Sequence, residues 1–489
     1  MSPEVAAPKS SPLTLVRAIL LIIVIWAGVY LPSLGSLELK GEEPRRILPG
    51  ITMLETGDWV VPYVGGEAYL RKPPMINWLA AISFKLTGVT NEWTARLPSV
   101  LGVLVLALAT LGSYRFFGLD TAFAAAVFSI TNFAMIDKGR LMEIDPLYSV
   151  ATGVAILLWI RIWILDRSRV TWLCAIGIGF ALGFGLLLKG PVHFIFYFAV
   201  VLAVCWTSRT WKYLLHPAHC LALVIAAGLA GAWLVPYLQV TGGMGASMAS
   251  QFTDRLDGSD FSLTGWLLNI PRGVANLLPW VLLAPFGWLP FKPGTPPKIV
   301  ALIRGLRLAV IGSFVAISLA PGSLPRYTMP VTLPFALWIA LLLTWQTLPE
   351  WLWKTWRIVT GGGVGEVKIL ALRSGLIVVL LMILYSLIAV PHLKTRSLWR
   401  AASEKIDAVM PPGETLYAID PGSQPVFFYL HRPFQFVPKS NALPPQARYV
   451  LARDKHIAQI QKRRVNFTEL TRYTDRGGQD TALIRLEGS

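Results

Sequence analysis

Carboxylates and cations are concentrated in one loop of an otherwise apolar chain. The loop from Gly35 to Pro74, here called the first loop, contains six acids and five bases. The acids are Glu38, Glu42, Glu43, Glu55, Asp58 and Glu67, and the bases are Lys40, Arg45, Arg46, Arg71 and Lys72. A carboxylate can take a proton from an attacking hydroxyl, and a cationic pocket can bind a phosphate that leaves. We therefore predict that the first loop caps the outer mouth of a membrane bundle and carries half of an active site.

Two adjacent glutamates, Glu42 and Glu43, are the leading candidates for the base. In a helix adjacent side chains point about 100° apart, so at most one of them need face a cavity. Pro44 suits the first turn of a helix, and an acid beside a helix start is favoured by the helix dipole. An alternative that the sequence leaves open is that one of the two glutamates only caps a surface helix.

Two junctions between apolar segments also contain ionisable groups. RLMEID, from Arg140 to Asp145, ends one apolar segment and starts the next, which begins at Pro146. Asp145 could be an N-cap, a role compatible with a functional one. In LLLKGPV, Lys189 precedes a Gly-Pro turn, and it is either a snorkelling lysine or a ligand for an anion.

Later loops supply further cations on the face that we predict to be external. FTDRLDGSDF contains Arg255, and the turn GSLPRY contains Arg326 and Tyr327. Arginine suits the planar recognition of phosphate oxygens, whereas lysine supplies a point charge. A carboxylate base beside such cations predicts transfer from a lipid-linked phosphate to a hydroxyl group.

The elements that must position these groups are apolar helices. Of 489 residues 54% are hydrophobic and only 15% are charged, whereas a soluble domain has about 25% charged residues. Several continuous apolar runs approach the ~20 residues needed to cross a bilayer, and strict alternation typical of a β-barrel is missing from them. The sequence predicts a polytopic α-helical membrane protein.

About 11 crossings are predicted, with a cytoplasmic N-terminus because Lys9 and Arg17 flank the first. Pro73 to Gly88 is too short to cross and is predicted to be a juxtamembrane or re-entrant helix. With this assignment the later basic clusters all fall on the cytoplasmic side. The predicted crossings are residues 13–34, 97–114, 119–137, 144–164, 171–188, 191–207, 219–237, 272–290, 306–320, 328–346 and 373–391.

Residues 395–489 are polar and mixed, which predicts a small α/β domain on the outer face after a membrane domain of residues 1–394. Strands are expected at 415–420, 447–452 and 481–486, and helices at 404–410 and 456–464.

Composition also argues against other classes. The net charge of +17 is attributed to Lys and Arg that hold cytoplasmic loops rather than to nucleic-acid binding. The three cysteines, Cys174, Cys205 and Cys220, are too few for a disulfide framework or a zinc site.

Six motifs in order resemble the aminoarabinose lipid A transferase group of the GT-C glycosyltransferases, which is related to protein O-mannosyltransferases. The likeness covers about residues 13 to 391, and it is specific for the family but not for the sugar. The motifs are GEEPRRILPGITMLETGDWVVP, GEAYLRKPP, GRLMEID, LLLKGPV, NLLPW and SLPRYTMPVTLP.

The resemblance implies a GT-C fold and an inverting enzyme that uses a polyprenyl-phosphate sugar on the outer face of the bacterial inner membrane. The acid that acts on or positions the acceptor matches Glu42, and the acid after the GRL motif matches Asp145. The remaining matches are Lys72, Arg255 and Tyr327 as donor phosphate ligands and Tyr69 as an aromatic near the donor. Arg71 and Arg326 are expected near the phosphate, and Glu43, Arg45, Arg140 and Lys189 are further candidates.

Three departures from the family pattern concern the chemistry. Glu42 stands where the family has aspartate, which moves the carboxylate by about 1.5 Å. Arg71 stands where relatives have a glutamate that is a candidate metal ligand, and Gln239 to Arg272 contains no histidine. We therefore expect no cofactor and no metal of the aminoarabinose-transferase kind, with the Arg71 guanidinium replacing the cation.

The expected partners are a polyprenyl-phosphate sugar, the bilayer, and a lipid, glycan or protein acceptor. Modification of lipid A is one of the activities that this set of acceptors includes. Two alternatives stay open. The first is a non-catalytic relative that binds a lipid-linked sugar or a partner, and the second is a lipid flippase or transporter with charges at mid-membrane.

Overall fold

The chain folds mainly into apolar helices, followed by one small sheet. The structure is a computed structural model that describes residues 13–165, 168–242, 262–360, 367–422, 425–463, 465–474 and 478–487. The helices of the first half are α1 Leu15–Tyr30, α2 Glu43–Thr56, α3 Met75–Thr87, α4 Glu92–Leu111, α5 Tyr114–Phe117, α6 Leu119–Ile130, α7 Phe133–Gly139, α8 Ile144–Leu165, α9 Ser168–Lys189, α10 His193–Ser208 and α11 Pro217–Val240.

The second half continues with short and long helices. They are α12 Leu263–Leu267, α13 Asn269–Asn276, α14 Pro297–Leu319, α15 Thr332–Trp345, α16 Glu350–Thr360, α17 Val367–Leu384, α18 Val390–Lys394, α19 Trp399–Val409, α20 Val426–Tyr429 and α21 Asp454–Lys462. Short 3-10 stretches are Trp211–Tyr213, Trp280–Trp288, Pro325–Val331 and Ser440–Ala442, and a π-helical turn is Tyr385–Ala389.

Each predicted crossing overlaps an apolar helix or a bent helix pair. Within the described ranges, seven helices are long and apolar enough to cross a membrane, and nine spans result if each of two bent pairs counts as one. The other two predicted crossings correspond to α1 and α10, which have 16 residues each and are short for ~30 Å of hydrocarbon. The multi-pass class is confirmed, and the count of 11 stays a prediction.

Two predicted crossings are not straight helices. The segment 119–137 is divided between α6 and α7, which meet at 57°. The segment 272–290 is divided between α13 and the 3-10 stretch Trp280–Trp288, and the two parts meet at 95°. Pro279 lies at this break, and proline cannot donate the backbone hydrogen bond that a continuing helix requires. The segment predicted as a crossing at 272–290 is thus a bent helix pair, either a broken span or a re-entrant loop, and its crossing stays a prediction.

Helix α8 forms the centre of the bundle. Most of its residues are buried, and it packs against α4, α9, α10 and α15. Gly153 permits the closest approach, because a Cβ added there would lie 2.9 Å from side-chain carbons of both Leu106 and Leu333. The close packing fixes the end of α8 at which Asp145 lies.

The C-terminal sheet has the strand order β4-β3-β5-β7-β6. Its strands are β3 Leu416–Ile419, β4 Phe434–Val437, β5 Tyr449–Arg453, β6 Phe467–Thr474 and β7 Asp480–Leu486. Strand β3 runs parallel to β4 and β5, and β7 is antiparallel to β5 and β6. The predicted strands and helices are confirmed, whereas α20, β4 and β6 were not predicted. The division into two domains stays a prediction.

The first loop folds into α2 and a hairpin of β1 (Tyr63–Val64) and β2 (Glu67–Ala68), and it contacts the C-terminal region directly. The backbone N–H of Phe436 donates to the Gly65 carbonyl at 2.7 Å. The Leu39 N–H donates to the Tyr429 hydroxyl at 2.9 Å. The predicted short helix before Gly88 is confirmed as α3, which packs beside α2 and α4.

Candidate active site

Glu42 lies at the start of α2, and its carboxylate faces two arginines of the same helix. Oε2 lies 3.1 Å from Nη2 of Arg46, and Oε1 lies 3.4 Å from Nη1 of Arg45. The spacings of four and three residues place these side chains on one helix face. Glu42 makes no side-chain cap hydrogen bond among the described residues, so its position at the helix start does not explain its contacts.

Arg46 links Glu42 to the second part of the first loop. Its Nη1 donates to the hydroxyl of Tyr69 at 2.7 Å. The Arg46 side chain is 8% exposed, and its Nε has no hydrogen-bond partner among the described atoms. Arg46 was not predicted as a site residue. Its position four residues after Glu42, at the predicted start of a helix, could have indicated that the two side chains pair.

Glu43 points away from this network. It is completely buried, and Nε and Nη2 of Arg96 each donate to one of its oxygens at 2.8 Å. Its oxygens also accept from the backbone N–H groups of Lys40 and Met142. Of the two adjacent glutamates, Glu43 thus anchors the loop and Glu42 faces the charged groups.

Asp145 lies in the first turn of α8 and forms the second acidic centre. One oxygen contacts the Lys189 ammonium, and the other lies 3.4 Å from Nε of Arg326. Lys189 is the last residue of α9, and the turn after it is held by Tyr148, whose hydroxyl donates to the Gly190 carbonyl at 2.8 Å. The charged groups therefore lie at the ends of α8 and α9 and not at their middles.

Tyr327 lies beside this ion pair. The Lys189 ammonium is 4.1 Å from the centre of the Tyr327 ring, a cation–π arrangement. Arg326 and Tyr327 belong to the 3-10 stretch Pro325–Val331, which packs on α8. Three predicted segments, containing Asp145, Lys189 and the pair Arg326–Tyr327, are thus brought together.

Arg326 also joins the two acidic centres electrostatically. Burial alone would raise the pKa of the Glu42 carboxyl, but Arg46, Arg45 and Arg326 outweigh burial and hold this pKa below its ordinary value. We call Glu42, Arg45, Arg46, Asp145, Lys189 and Arg326 the charged cluster. Its four cations exceed its two carboxylates, so the cluster has room for an additional anion.

Glu143 borders the charged cluster and differs from Glu42 in its electrostatics. Burial raises the pKa of the Glu143 carboxyl, and the Asp145 carboxylate adds to this effect against the opposing Lys138. The Lys138 ammonium donates to Glu143 at 3.2 Å. Glu143 was part of the RLMEID motif but had no predicted role, because its pairing with Lys138 depends on the turn after α7.

Arg140, another predicted site residue, lies away from the charged cluster. Arg140 donates to the carbonyls of Val29 and Pro32 and lines a separate cavity of about 250 Å³, so it ties α1 to the turn before α8. Lys72 is half-buried next to Pro73, and its phosphate-binding role stays a prediction. Arg255 lies outside the described residues.

Arg71 lines a polar cavity between the first loop and the C-terminal sheet. Glu67, Asp420 and Arg45 line the same cavity. Burial, and then the nearby Asp420 carboxylate, raises the pKa of Glu67. The position of Arg71 therefore differs from that of Arg326, which directly contacts the Asp145 centre.

In the part of the chain that the structure describes, no group of three or more His, Cys, Asp or Glu side chains is arranged to hold a metal ion. Beside Arg71 the acids are the pair Glu67 and Asp420, and the guanidinium adds a positive charge to their surroundings. That donor set does not fit a divalent ion, and the expectation of a metal-free site stays a prediction.

Sequence comparisons connect this geometry with known proteins. The family model "Dolichyl-phosphate-mannose-protein mannosyltransferase" matches residues 71–235. The undecaprenyl phosphate-alpha-4-amino-4-deoxy-L-arabinose arabinosyl transferase of Pectobacterium atrosepticum is 26% identical over 382 residues, which are 73% of this chain and 65% of that protein. The enzyme of the same name from Serratia proteamaculans is 26% identical over 66% of this chain and 58% of that protein. The chain thus spans about three fifths of these relatives.

The fold agrees with a solved membrane enzyme. The crystal structure of ArnT from Cupriavidus metallidurans bound to undecaprenyl phosphate has a TM-score of 0.73 to this chain. The match covers 96% of this chain and 97% of that chain at 16% identity, and the apo structure gives a TM-score of 0.74. The resemblance predicted from the six motifs is confirmed, and the chain is a multi-pass membrane protein with the ArnT-like GT-C fold.

Proposed function

We propose that this chain, whose fold is that of the ArnT structures, is an inverting glycosyltransferase of the bacterial inner membrane. It moves a sugar from a polyprenyl-phosphate donor to a hydroxyl of a lipid, glycan or protein acceptor. The observation that carries the proposal is the charged cluster. In it Glu42 pairs with Arg45 and Arg46, Asp145 pairs with Lys189 and Arg326, and Arg326 also acts electrostatically on Glu42. The enzyme names of the curated relatives and the undecaprenyl phosphate in the solved ArnT complex support the same donor class.

The donor phosphate is held by cations. Lys72, Arg255 and Tyr327 contact it, with Arg71 and Arg326 nearby, and Lys189 adds an ammonium next to Tyr327. Guanidinium groups match the oxygens of a phosphate in two-point hydrogen bonds, and they stabilise the negative charge that develops on the leaving group.

The lipid chain of the donor has an apolar path beside the cluster. A cavity of about 580 Å³ lies between α3, α4, α8 and α9, and its lining includes Leu79, Leu101, Leu147 and Phe184. Leu147 follows Asp145 by two residues, so the cavity reaches the same end of α8 as the charged cluster, although the two side chains leave the helix about 200° apart. Lateral entry from the outer leaflet fits this arrangement.

Glu42 is the base. In the present structure three guanidinium groups hold the pKa of its carboxyl low, which keeps it ionised but weakly basic. A bound phosphate attracts the same guanidinium groups, and Glu42 becomes more basic as they turn towards it. The acceptor oxygen then forms a bond to the anomeric carbon as the bond to the phosphate oxygen breaks. The proton passes to Glu42, polyprenyl phosphate leaves, and Asp145 positions the reactants through Lys189 and Arg326.

The orientation is part of the proposal. The N-terminus is cytoplasmic, and the first loop and the C-terminal α/β domain, residues 395–489, lie on the periplasmic side. The direct contacts between the first loop and the C-terminal region, such as Phe436 to Gly65, require that both lie on the same side. Impermeant thiol labelling of single-cysteine variants in intact cells tests this orientation.

The proposed activity is tested by release of free polyprenyl phosphate. The purified chain in lipid nanodiscs is supplied with a panel of labelled polyprenyl-phosphate sugars and crude membrane acceptor. Release that depends on Glu42 supports the transferase and identifies the donor. If Glu42→Gln and Lys72→Ala both keep normal turnover, the site assignment is wrong. Binding of donor without release from any member of the panel would favour the non-catalytic alternative.

The transporter alternative predicts a different arrangement. A transporter places its ionisable groups on broken helices near mid-membrane. Asp145 lies in the first turn of its helix, and Lys189 is the last residue of its own. These positions favour chemistry at a membrane face.

A further inference from the structure

The cavity between the first loop and the C-terminal sheet is a second polar site next to the charged cluster. Its volume is about 330 Å³, which falls in the size range of small-ligand pockets. One wall consists of the start of α2 and the segment Glu67 to Arg71. The other wall contains Asp420 and Gly422, which follow β3, and Phe436 and Pro438 at the end of β4. The carboxyl ends of parallel strands thus face a loop of the proposed active site.

The two walls are joined rigidly. Phe436 donates its backbone N–H to Gly65 at 2.7 Å, and a Cβ added at Gly65 would lie 2.7 Å from the Phe436 ring. Asp420 adopts a left-handed backbone with φ of 41°, and its N–H donates to the Val437 carbonyl at 2.9 Å. The Asp420 carboxylate is therefore held at a fixed place on the wall, where Lys455 approaches it at 3.3 Å from outside the cavity.

The cavity leads to the proposed base along two routes. Arg45 lines the cavity and lies 3.4 Å from the Glu42 carboxylate. Tyr69 also lines the cavity, and its hydroxyl accepts from Arg46, which lies 3.1 Å from Glu42. One side chain, Arg45, thus lies between the cavity and Glu42 on the first route, and two, Tyr69 and Arg46, lie between them on the second.

The cavity lining contains equal numbers of positively and negatively charged side chains. Two arginines, Arg45 and Arg71, and two acids, Glu67 and Asp420, line the cavity, so the formal charges of the lining groups cancel. The rings of Tyr69 and Phe436 supply flat apolar surface. Carboxylates accept hydrogen bonds from hydroxyls, guanidinium groups donate to them, and aromatic rings pack against the C–H face of a sugar ring.

We propose that this cavity is the acceptor site and that it binds a neutral, hydroxyl-rich sugar ring whose reacting hydroxyl points to Glu42. The inference rests on the proposed transferase function and gives that function an acceptor class. A phosphorylated head group fits less well, because its charge would approach the carboxylates of Glu67 and Asp420. The hydroxyl of a peptide side chain would leave most of the hydrogen-bonding groups of the cavity lining unused. Preference for a peptide acceptor is the alternative result of the experiment.

The test compares acceptors with the full chain in nanodiscs and the donor selected by the release panel. The probes are octyl β-D-glucoside, octyl β-D-glucoside 6-phosphate and a short serine- and threonine-containing peptide. The variants are Glu67→Gln, Asp420→Asn and the double variant. Asparagine tolerates the left-handed backbone at position 420, so this exchange removes charge without backbone strain. Asp480→Asn on β7 is the matched control, because Asp480 is a partly exposed carboxylate of the same sheet and meets Arg472 at 3.9 Å.

We expect the wild-type chain to prefer the neutral glucoside. In the double variant the glucoside KM should rise about tenfold or more, the loss expected when hydrogen bonds to charged groups are removed. The donor KM should stay within about twofold, since a change confined to acceptor recognition alters one substrate only. The lining then keeps Arg45, which still pairs with Glu42 at 3.4 Å, and Arg71, which has lost both lining carboxylates, so the preference should move towards the 6-phosphate. Asp480→Asn should match the wild type in all of these values.

The outcomes separate the two proposals. An unchanged glucoside KM in the double variant, or a wild-type preference for the 6-phosphate or the peptide, would overturn the acceptor assignment while the transferase proposal stands. If the wild type releases no polyprenyl phosphate from any donor, the transferase proposal itself is overturned, and the acceptor assignment falls with it.

Discussion

Glu43 and Arg96 form a buried two-point ion pair, with Nε and Nη2 of Arg96 each 2.8 Å from a carboxylate oxygen of Glu43. The remaining nitrogen, Nη1, donates to the carbonyls of Leu34 and Leu37 at 2.7 and 2.9 Å. The pair therefore ties the first loop to the start of α4. Since Glu43 directly follows Glu42, the same pair determines the direction in which the Glu42 side chain leaves α2.

Glu43→Gln should destabilise the chain strongly. Removing one partner of a buried ion pair leaves the other charge uncompensated, which costs about 3 to 5 kcal/mol. Reversible unfolding in mixed micelles measures this loss. The matched control is Glu350→Gln, because Glu350 pairs with Lys354 on an exposed helix face and its loss should leave unfolding unchanged. Equal stability of the two variants would show that the Glu43–Arg96 pair does not anchor the loop.

Glu42→Gln should remove most of the turnover while the chain stays folded. Loss of a general base lowers rates by about 10² to 10⁴. Glu42→Asp keeps the charge but withdraws the carboxylate, and a misplacement of about 1 Å costs up to about 10². The expected order of turnover is therefore wild type, then aspartate, then glutamine, measured as release of polyprenyl phosphate. An aspartate variant as slow as the glutamine variant would argue that position matters more than proton transfer.

Arg46→Gln should change the pH dependence of the reaction. The nearby guanidinium groups hold the pKa of Glu42 below the ordinary glutamate value, so in the wild type the base form is lost only at a pH below the range in which a free glutamate titrates. With Arg46 removed, burial is opposed by fewer cations and the pKa rises. The acid limb of the kcat/KM profile, which reports the free enzyme, should move to higher pH. Arg432→Gln in the C-terminal region, which removes an arginine paired with Asp407, should leave the profile in place.

The sequence predicted the groups of the charged cluster better than their pairings. Asp145 and Lys189 were chosen because ionisable residues at helix junctions of an apolar chain are unusual. Their contact depends on α8 and α9 packing with these ends adjacent, which no local pattern encodes. Arg96 directly precedes the predicted crossing 97–114. Its pairing with Glu43 depends on the first loop folding back onto α4, which no local pattern indicates.

The same limit applies to the C-terminal region. Strands β3, β5 and β7 are apolar runs with a buried face, and they were predictable. Strand β4 has four residues, and its edge position beside β3 gives it partly exposed side chains and a weak pattern. The cavity that contains Arg71 and Asp420 combines two segments far apart in sequence. Arg71 was therefore assigned to the donor phosphate from its motif alone.

Asp145 and Lys189 should behave as one unit. In Asp145→Asn the Lys189 ammonium loses its contact with a carboxylate, and in Lys189→Met the Asp145 carboxylate keeps its contact with Arg326 at 3.4 Å. Each single variant should lose stability, whereas the double variant should lose less than the sum of the two. Contacting residues of this kind show coupling energies of about 0.5 to 3 kcal/mol in double-mutant cycles. Additive losses in unfolding free energy would contradict the direct pairing.

Gly50→Ala should damage the site through backbone packing. A Cβ at Gly50 would lie 2.7 Å from the Asn77 carbonyl oxygen and 3.1 Å from the Ala81 nitrogen, so α2 and α3 would have to separate. Alanine is favoured over glycine inside a helix by about 1 kcal/mol, but backbone atoms of α3 cannot yield as a flexible side chain does. Because Glu42 and Arg46 lie on α2, we expect lower stability together with lower turnover.

The matched control for this exchange is Gly312→Ala in α14. A methyl group there meets no atom within 4 Å in the described part of the chain, so the helix-propensity gain is not opposed. Gly312→Ala should keep its turnover and unfold no earlier than the wild type. If Gly50→Ala unfolds like Gly312→Ala and keeps its turnover, the close contact of α2 with α3 does not position Glu42. The position of the base would then have to depend on the Glu43–Arg96 pair alone.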